Sequence, residues 1–249
     1  MRRPLYHDFA WAYDAVVAQP AGPAAEAVAE ALAAHGVPAG SSLVDAGCGT
    51  GRYAAAFAGL GYLVTGVDLS PELVAVAERA APDARFEVAD LRSWTPAEPF
   101  DAALCRGVLN DLIDDADRVA ALAGLRRSLR AGGVLVADVR DWERTARRYE
   151  ADPAIERTAD TPRGRVVFTS HTTLEPDTHT MRIRERIAVG DEPPAEFDFA
   201  MRCWTREELQ TALPEAGFAQ TELNALEASR PDRITVLATV SISGSYRCQ

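Results

Sequence analysis

The chain has 249 residues, and 47% of them are hydrophobic, which is enough to build a large core. It carries 37 acidic against 26 basic residues, a formal net charge of −11 at pH 7. Nucleic acids and anionic membranes are bound through basic faces, so this charge argues against both as partners.

All 26 basic residues are arginines, which excludes a Schiff-base lysine and the lysine of a phosphate-binding loop. The cysteines show neither a C-x-x-C pair nor metal-ligand spacing, so no metal site is predicted: Cys48, Cys105, Cys203 and Cys248. No apolar segment follows the two N-terminal arginines, and none approaches the ~18 residues of a membrane span. We therefore predict a cytoplasmic protein without a signal peptide.

The first part of the chain alternates helix and strand patterns. Residues 23–35 predict a helix that begins at a proline and ends before a glycine. The elements that follow are strand 42–46, helix 50–59, strand 62–67, helix 71–80, strand 84–88, strand 100–105, helix 115–130 and strand 133–138. Several strands are unbroken apolar runs, as in parallel strands buried on both faces. The alternation predicts an α/β fold with a doubly wound open sheet, which binds ligands outside the carboxyl ends of its strands.

The pattern changes after Glu150. Polar and apolar side chains alternate over residues 164–173, 180–189 and 195–203, as in half-exposed antiparallel strands. A helix at 205–216 and strands at 218–225 and 232–241 then return to the first pattern. The predicted parts are an aromatic-rich segment at 1–20, an α/β domain at 21–150, a small β insertion at 151–203 after the fifth strand, and the completion of the α/β domain at 204–249.

A glycine-rich turn follows the first predicted strand, where residues 43–51 read Leu-Val-Asp-Ala-Gly-Cys-Gly-Thr-Gly. Glycines at alternate positions, Gly47, Gly49 and Gly51, let the backbone approach a ligand closely. Asp45, at the end of the strand, favours a ligand that carries positive charge there. The sequence therefore predicts a ligand site at this turn.

Two more acidic residues end the next strand-like runs. Asp68 can accept both hydroxyls of a ribose, and Asp90 the amino group of an adenine while the Leu91 amide donates to the ring. An isolated aspartate at a strand end is more often a turn or cap residue, but three in register make that reading poor for the set. The glycine spacing lacks the G-x-G-x-x-G pyrophosphate fingerprint, and Asp45 suits an amine and a sulfonium better than a pyrophosphate.

Four segments in succession resemble the motifs of the class I S-adenosylmethionine-dependent methyltransferases: residues 45–51, Asp68-Leu-Ser-Pro, Ala-Asp90 and Leu-Arg-Ala-Gly-Gly-Val at 129–134. The resemblance covers roughly residues 40–140. It implies S-adenosylmethionine as cofactor and a seven-stranded sheet of order 3-2-1-4-5-7-6, with 232–241 as its antiparallel last strand. By position, the glycines would line the methionine part, Asp68 the ribose and Asp90 the adenine. The full predicted cofactor set is Tyr13, Asp45, Gly47, Cys48, Gly49, Gly51, Asp68, Leu69, Asp90, Leu91 and Arg106.

The aromatic-rich segment at residues 6–14 looks like the lid of small-molecule members of that family. Such an arm can favour a sulfonium through its ring faces and exclude water. We expect Tyr13 rather than Trp11 to face the cofactor. The alternative is a helix that packs its aromatic side chains on the sheet.

The acceptor side is predicted from residues near the ends of the fourth and fifth strands. Arg106 and Arg140 could clamp a carboxylate substrate, or each could pair with a local acid such as Asp111 or Asp138. His171 could act as a general base, although a surface position on its strand is the more ordinary expectation. The candidate catalytic residues are Arg106, His171 and Tyr13, and the candidate substrate residues are Tyr6, Asn110, Arg140, Trp142, Arg202 and Trp204.

The leading interpretation is a small-molecule methyltransferase of natural product biosynthesis. The β insertion resembles the one in glycine-type and amino-sugar N-methyltransferases, where it covers the acceptor pocket. N-methylation needs little acid–base help, O-methylation is nearly as well supported, and C-methylation is less so. The alternatives are a fold relative that catalyses a cyclisation or only binds the cofactor, and an NAD(P)-dependent oxidoreductase. A homodimer is a further prediction.

Overall fold

The computed structural model describes residues 3–17, 20–224, 226 and 231–241. The strands are β1 (Ser42–Ala46), β2 (Leu63–Asp68), β3 (Arg85–Val88), β4 (Phe100–Arg106), β5 (Leu129–Arg140), β6 (Ala154–Thr161), β7 (Gly164–Glu175), β8 (Thr180–Val189), β9 (Ala195–Arg202), β10 (Phe218–Leu223) and β11 (Arg233–Val240). The helices are α1 (Tyr13–Val16), α2 (Gly22–Ala34), α3 (Arg52–Gly59), α4 (Pro71–Ala80), α5 (Asp115–Ser128), α6 (Trp142–Ala151) and α7 (Arg206–Glu215). Short 3₁₀ helices lie at Pro4–Tyr6, Ala10–Ala12, Val108–Asn110 and Pro176–Thr178.

Seven strands form one sheet in the order β10-β11-β5-β4-β1-β2-β3. All neighbours run parallel except β11, which is antiparallel to both β5 and β10. With the inserted strands set aside, this confirms the predicted order 3-2-1-4-5-7-6, including the role of the last strand. The winding reverses between β1 and β4, so the switch point at which such sheets bind ligands lies beside Asp45.

Helices cover both faces of this sheet because its strands are apolar on both sides. Leu43 of β1 packs with α2 and α3, whereas the adjacent Val44 packs with α5 and α7 on the opposite face. Successive strand residues point to opposite faces, so Asp45 projects toward the start of α3. The core thus fixes the direction in which the first acidic residue of the site points.

The insertion is a separate antiparallel sheet of order β6-β7-β8-β9, with one strand more than predicted. β6 and the preceding α6 contain few apolar residues. Along α6 only Thr145 and Tyr149 are buried. The helix is capped by Asp141, whose side chain accepts from the Arg144 amide at 2.9 Å. β6 is an edge strand that alternates between half-buried and exposed residues.

No helix in the described ranges is long and apolar enough to cross a membrane. Three cysteines, Cys48, Cys105 and Cys203, are buried free thiols, and burial raises the pKa of each of them. Cys248 lies outside the described residues.

Candidate active site

The turn after β1 is held against the neighbouring strands by close backbone contacts. The amide of Gly47 donates to the carbonyl of Val67 in β2 at 2.7 Å. A Cβ on Gly47, whose φ is +77°, would lie 2.0 Å from a methyl carbon of Val108, and the turn therefore requires glycine there. A Cβ on Gly51 would likewise lie 2.8 Å from that of Ala77 in α4. The turn leads directly into α3 at the carboxyl edge of the sheet.

The Asp45 side chain is buried beneath this turn. Burial, and secondly the charge of Asp68, raise the pKa of its carboxyl to about 7. Its Oδ2 atom has no hydrogen-bond partner among the described residues. A buried acceptor of this kind suits a ligand group that is cationic or donates hydrogen bonds.

Asp68 stands at the end of β2 and braces the same turn. Its Oδ2 accepts from the Gly49 amide and its Oδ1 from the Ser70 amide, both at 2.9 Å. Burial raises the pKa of its carboxyl, against the effect of these hydrogen bonds. The next residue, Leu69, has 66% of its surface exposed, which leaves an apolar side chain beside the acid. An acid next to an exposed apolar side chain can accept from the hydroxyls of a nucleoside and contact its base.

Asp90 lies in the turn after β3 and is paired with Arg92. The guanidinium donates to both carboxylate oxygens, at 2.6–3.1 Å, and holds the pKa of Asp90 below its usual range. Leu91 beside it is buried. Contact between Asp90 and an adenine stays a prediction.

Residues 3–17, here called the arm, cross the edge of the sheet above the glycine turn. The Ser70 hydroxyl donates to the Tyr6 carbonyl, His7 contacts Glu72 at 2.7 Å, and Thr50 donates to Asp14 at 2.7 Å. The arm thus lies where a lid was predicted.

Within the arm, Tyr13 and Trp11 take different neighbours. The ring of Tyr13 lies 6.0 Å from that of Tyr6, whereas Trp11 faces the insertion, with the Arg163 guanidinium 4.7 Å from its ring centroid. Both rings also pack against the apolar cluster between the arm and the insertion, and which of them faces the cofactor stays a prediction.

The predicted arginine clamp is not formed, because each arginine is held by an acid of its own. Arg106 donates to Asp138 at 2.7 Å, and the same carboxylate also accepts from Arg233. Arg140 donates to Asp232 at 2.5 Å, with 8% of the arginine side chain and 1% of the aspartate side chain exposed. The local-acid alternative is therefore correct for both, with Asp138 and Asp232 as the partners.

Four other predicted substrate residues do not line the inner side of the insertion. Asn110 is 1% exposed and accepts from the Arg140 amide at 2.8 Å, and Trp204 is 2% exposed and donates to the Leu109 carbonyl at 3.1 Å. Arg202 pairs with Asp115 and Glu208, and the Trp142 ring lies 5.1 Å from that of His179. Trp142 and Trp204 border a separate cavity beside α7.

His171 lies on the outer face of the insertion and is exposed. It pairs in register with Arg184, and neighbouring exposed side chains on this face form ion pairs, such as Arg184 with Asp198 at 2.8 Å. The arm packs on the opposite face of the same sheet. His171 thus has the surface position of the ordinary expectation, and a role as a general base stays a prediction.

A pocket opens between the arm and the inner face of the insertion, on the side where the resemblance implies an acceptor pocket. Arg3 is central to it: its guanidinium donates to both oxygens of Glu185 and, at 2.7 Å, to the Tyr6 hydroxyl, and lies 4.4 Å from the Phe199 ring centroid. We call it the inner pocket, and on the side of the arm its lining is Arg3, Tyr6, Asp111, Ile113, Ile183, Phe197 and Phe199. The same cavity is also bordered by residues of the outer face of the insertion: His171, Thr173, Arg182, Arg184, Asp198 and Ala200. Tyr6 and His171 are the predicted site residues among them.

One signal in the sequence points to the inner pocket. Along β8 every second residue is buried, and Glu185 is the charged member of an otherwise largely apolar series. A buried charge needs a partner, which the sequence does not reveal.

The comparisons with known proteins agree with this architecture. A family model described as a methyltransferase domain matches residues 43–133. The dTDP-4-amino-2,3,4,6-tetradeoxy-D-glucose N,N-dimethyltransferase of Saccharopolyspora spinosa is 28% identical over 73% of this chain and 72% of its own length. The trans-aconitate 2-methyltransferase of Azoarcus sp. (strain BH72) is 36% identical, but over only 43% of either chain.

A solved structure extends the likeness over nearly the whole chain. CalS10, an amino pentose methyltransferase from Micromonospora echinaspora solved with S-adenosylmethionine bound, superposes with a TM-score of 0.72 at 26% identity, covering 94% of this chain and 97% of its own. The matched domain, the sheet order and relatives that share both identify the chain as a class I S-adenosylmethionine-dependent methyltransferase of the small-molecule type.

Proposed function

We propose that the protein methylates an amine nitrogen of a small molecule, with an amino sugar as the closest acceptor class. The observation that carries this is the charge beside the arm. Arg106 and Arg140 are neutralised by their own acids, whereas the acid Asp111 faces the inner pocket. A pocket with an open carboxylate attracts an ammonium group and repels a carboxylate acceptor.

The share of this chain that its relatives match also supports an amine acceptor. The matches to amino-sugar N-methyltransferases cover 73% and 94% of this chain, and so extend beyond the matched domain into the arm or the insertion. The match to a trans-aconitate methyltransferase covers 43% and is little longer than that domain. The similarity to these enzymes, whose names specify amino sugars, therefore reaches the part of the chain that we expect to select an acceptor.

The residues around the glycine turn fit the cofactor. Asp45 offers a buried oxygen without a partner to a cationic group, and Asp68 beside exposed Leu69 offers an acceptor and an apolar surface to a nucleoside. When bound, the cofactor supplies a methyl group on a sulfonium. The arm covers this edge and excludes water, while the walls of the inner pocket orient the acceptor.

A mass screen tests this proposal. The protein and S-adenosylmethionine are incubated with amines, phenols and carboxylates, including dTDP-4-amino-2,3,4,6-tetradeoxy-D-glucose, and products are examined for a gain of one methylene unit. We expect the gain on amines. A gain confined to phenols or carboxylates would reject N-methylation, and tight cofactor binding without transfer would favour the relative that only binds. A homodimer and a cytoplasmic location stay predictions from the sequence.

A further inference from the structure

The inner pocket brings three parts of the chain together around one open acid. The arm supplies Arg3 and Tyr6, the segment after β4 supplies Asp111, and the insertion supplies aromatic walls such as Phe199. Arg182 and Arg184, adjacent in sequence to inward-facing Ile183, point to the other face of the sheet and pair with acids there. The charge that a ligand in the inner pocket meets is therefore set by the arm and by Asp111.

Asp111 is held rigidly next to the cofactor edge. It ends the short helix Val108–Asn110, and its amide donates to the Val108 carbonyl at 2.9 Å. Val108 packs so closely on Gly47 that a Cβ there would not fit, and Asn110 is fixed by the Arg140 amide at 2.8 Å. The carboxylate thus projects from a braced turn that touches the glycine turn.

The Asp111 carboxylate has an unused acceptor oxygen. Oδ2 accepts from the Tyr6 hydroxyl at 3.2 Å, and no hydrogen bond to Oδ1 is formed within the described part of the chain. Arg3, the nearest cation, is occupied by Glu185 and Tyr6, and the more distant Arg140 and Arg233 have acids of their own. Asp111 is exposed, so this oxygen is accessible to a ligand.

Tyr6 links this acid to the cofactor edge. Its carbonyl accepts from the Ser70 hydroxyl beside Asp68, and its own hydroxyl receives a hydrogen bond from Arg3 and donates to Asp111. Burial raises the pKa of the Tyr6 phenol well above its usual range, so the phenol stays a neutral donor. Tyr6 is a positioning residue that aims the acid.

We propose that Asp111 binds the ammonium group of the acceptor and accepts its proton before methyl transfer. The proton moves from nitrogen to a carboxylate oxygen, which frees the nitrogen lone pair. That nitrogen then bonds to the methyl carbon as the carbon–sulfur bond breaks with its electrons left on sulfur, giving S-adenosylhomocysteine and a methylated ammonium ion. Asp111 afterwards releases its proton to solvent, so a second transfer can repeat the step. This inference rests on the proposed amine acceptor.

The pH dependence of Asp111→Asn separates this role from a structural one. With Asp111 present, the enzyme uses the abundant ammonium form, so kcat/KM should be flat between the pKa of Asp111 and that of the acceptor. Without it, only the scarce neutral amine reacts, so kcat/KM should rise about tenfold per pH unit up to the acceptor pKa. At pH 7 we expect a loss of ~10²–10⁴-fold. The probe is dTDP-4-amino-2,3,4,6-tetradeoxy-D-glucose, or whichever amine the mass screen identifies.

Asp114→Asn is the matched control, because Asp114 is exposed on the same segment and does not line the inner pocket. It should retain the wild-type rate and profile. Calorimetry provides a second readout: Asp111→Asn should bind S-adenosylhomocysteine normally but bind the amine more weakly. Tyr6→Phe should lower kcat/KM less and keep the flat profile.

The outcomes distinguish the two proposals. If wild type methylates the amine and Asp111→Asn keeps both rate and flat profile, the role of Asp111 is wrong while N-methylation stands. If wild type methylates no amine, N-methylation itself fails. A uniform loss across pH, with weaker cofactor binding, would assign Asp111 a structural role only.

Discussion

The buried carboxyl of Asp45 makes the stability of the cofactor-free protein depend on pH. Its pKa lies at about 7, so between the ordinary aspartate value and pH 7 the folded chain keeps a proton that the unfolded chain has released. Stability is then present at low pH and is lost as the pH rises through this window. Asp45→Asn, which resembles the protonated form, should raise the free energy of unfolding by about 2–4 kcal/mol at pH 8 and by less than about 1 kcal/mol at pH 4.

Urea unfolding at the two pH values measures this difference. The same variant should bind S-adenosylmethionine more weakly at pH 8, because it offers no negative charge to a cation. Equal gains at both pH values would show that the carboxyl of Asp45 does not titrate in this window.

Asp68 is predicted to bind the cofactor and also braces the glycine turn, and Asp68→Ala removes both roles. If Asp68 accepts from the ribose hydroxyls, this variant should weaken S-adenosylhomocysteine binding by about 1–3 kcal/mol in calorimetry. It also removes the acceptor for the Gly49 and Ser70 amides, so we expect a lower melting temperature. Asp83→Ala, on an exposed turn before β3, should change neither. Unchanged affinity in Asp68→Ala would remove Asp68 from the cofactor site.

For single residues, the sequence predicts where a side chain lies on the sheet better than it predicts which side chain it contacts. Asp45 and Asp68 could be placed because each ends an apolar run, and the ends of parallel strands meet at one edge. The partner of Arg106 could not be identified, because Asp138 lies on the neighbouring strand and the sequence does not distinguish it from Asp111. The sequence indicates Asp111 only as an ion-pair partner, since its open oxygen depends on how the arm folds over it.

Among the elements, the arm is held by a buried ion pair between its first described residue and the insertion. Arg3 and Glu185 are 9% and 8% exposed, and the arm buries Leu5, Ala12 and Val16 against the insertion. Removing one partner alone would leave a buried charge, so Arg3→Met together with Glu185→Leu is the informative variant. In it we expect faster hydrogen exchange over residues 4–16 and faster dissociation of S-adenosylhomocysteine.

Arg184→Met is the matched control for that variant, because its ion pair with Asp198 lies exposed on the outer face of the same strand. Exchange and dissociation should stay at wild-type rates there. If the double variant also behaved as wild type, the arm would be held by its apolar contacts and not by the ion pair.

Elements rich in apolar residues were predictable, and elements poor in them were not. The bounds predicted for β1 and α4 agree with the structure, because the apolar run of β1 reaches an acid and α4 begins at a proline. α6 was missed because it has few apolar residues and buries only two side chains, and β6 because an edge strand needs little burial. Both elements depend on the surface on which they pack.

Across the whole molecule, the arm joins the seven-stranded sheet to the four-stranded sheet of the insertion. Its residues bond to Ser70 and Thr50 on one side and, through Arg3, to Glu185 on the other. A ligand at the glycine turn should therefore stabilise both sheets together. At about 100 times its Kd, S-adenosylhomocysteine should add ~2.7 kcal/mol and raise Tm by about 5–10 °C in one transition.

Scanning calorimetry with and without ligand checks this shift, and NADH at the same concentration is the control. The acid at Asp45 and the missing pyrophosphate fingerprint lead us to expect no shift with NADH. A shift in Tm with NADH alone would favour an NAD(P)-dependent oxidoreductase. Two separate transitions, of which only one moves with S-adenosylhomocysteine, would show that the insertion unfolds independently and that the arm does not couple it to the cofactor site.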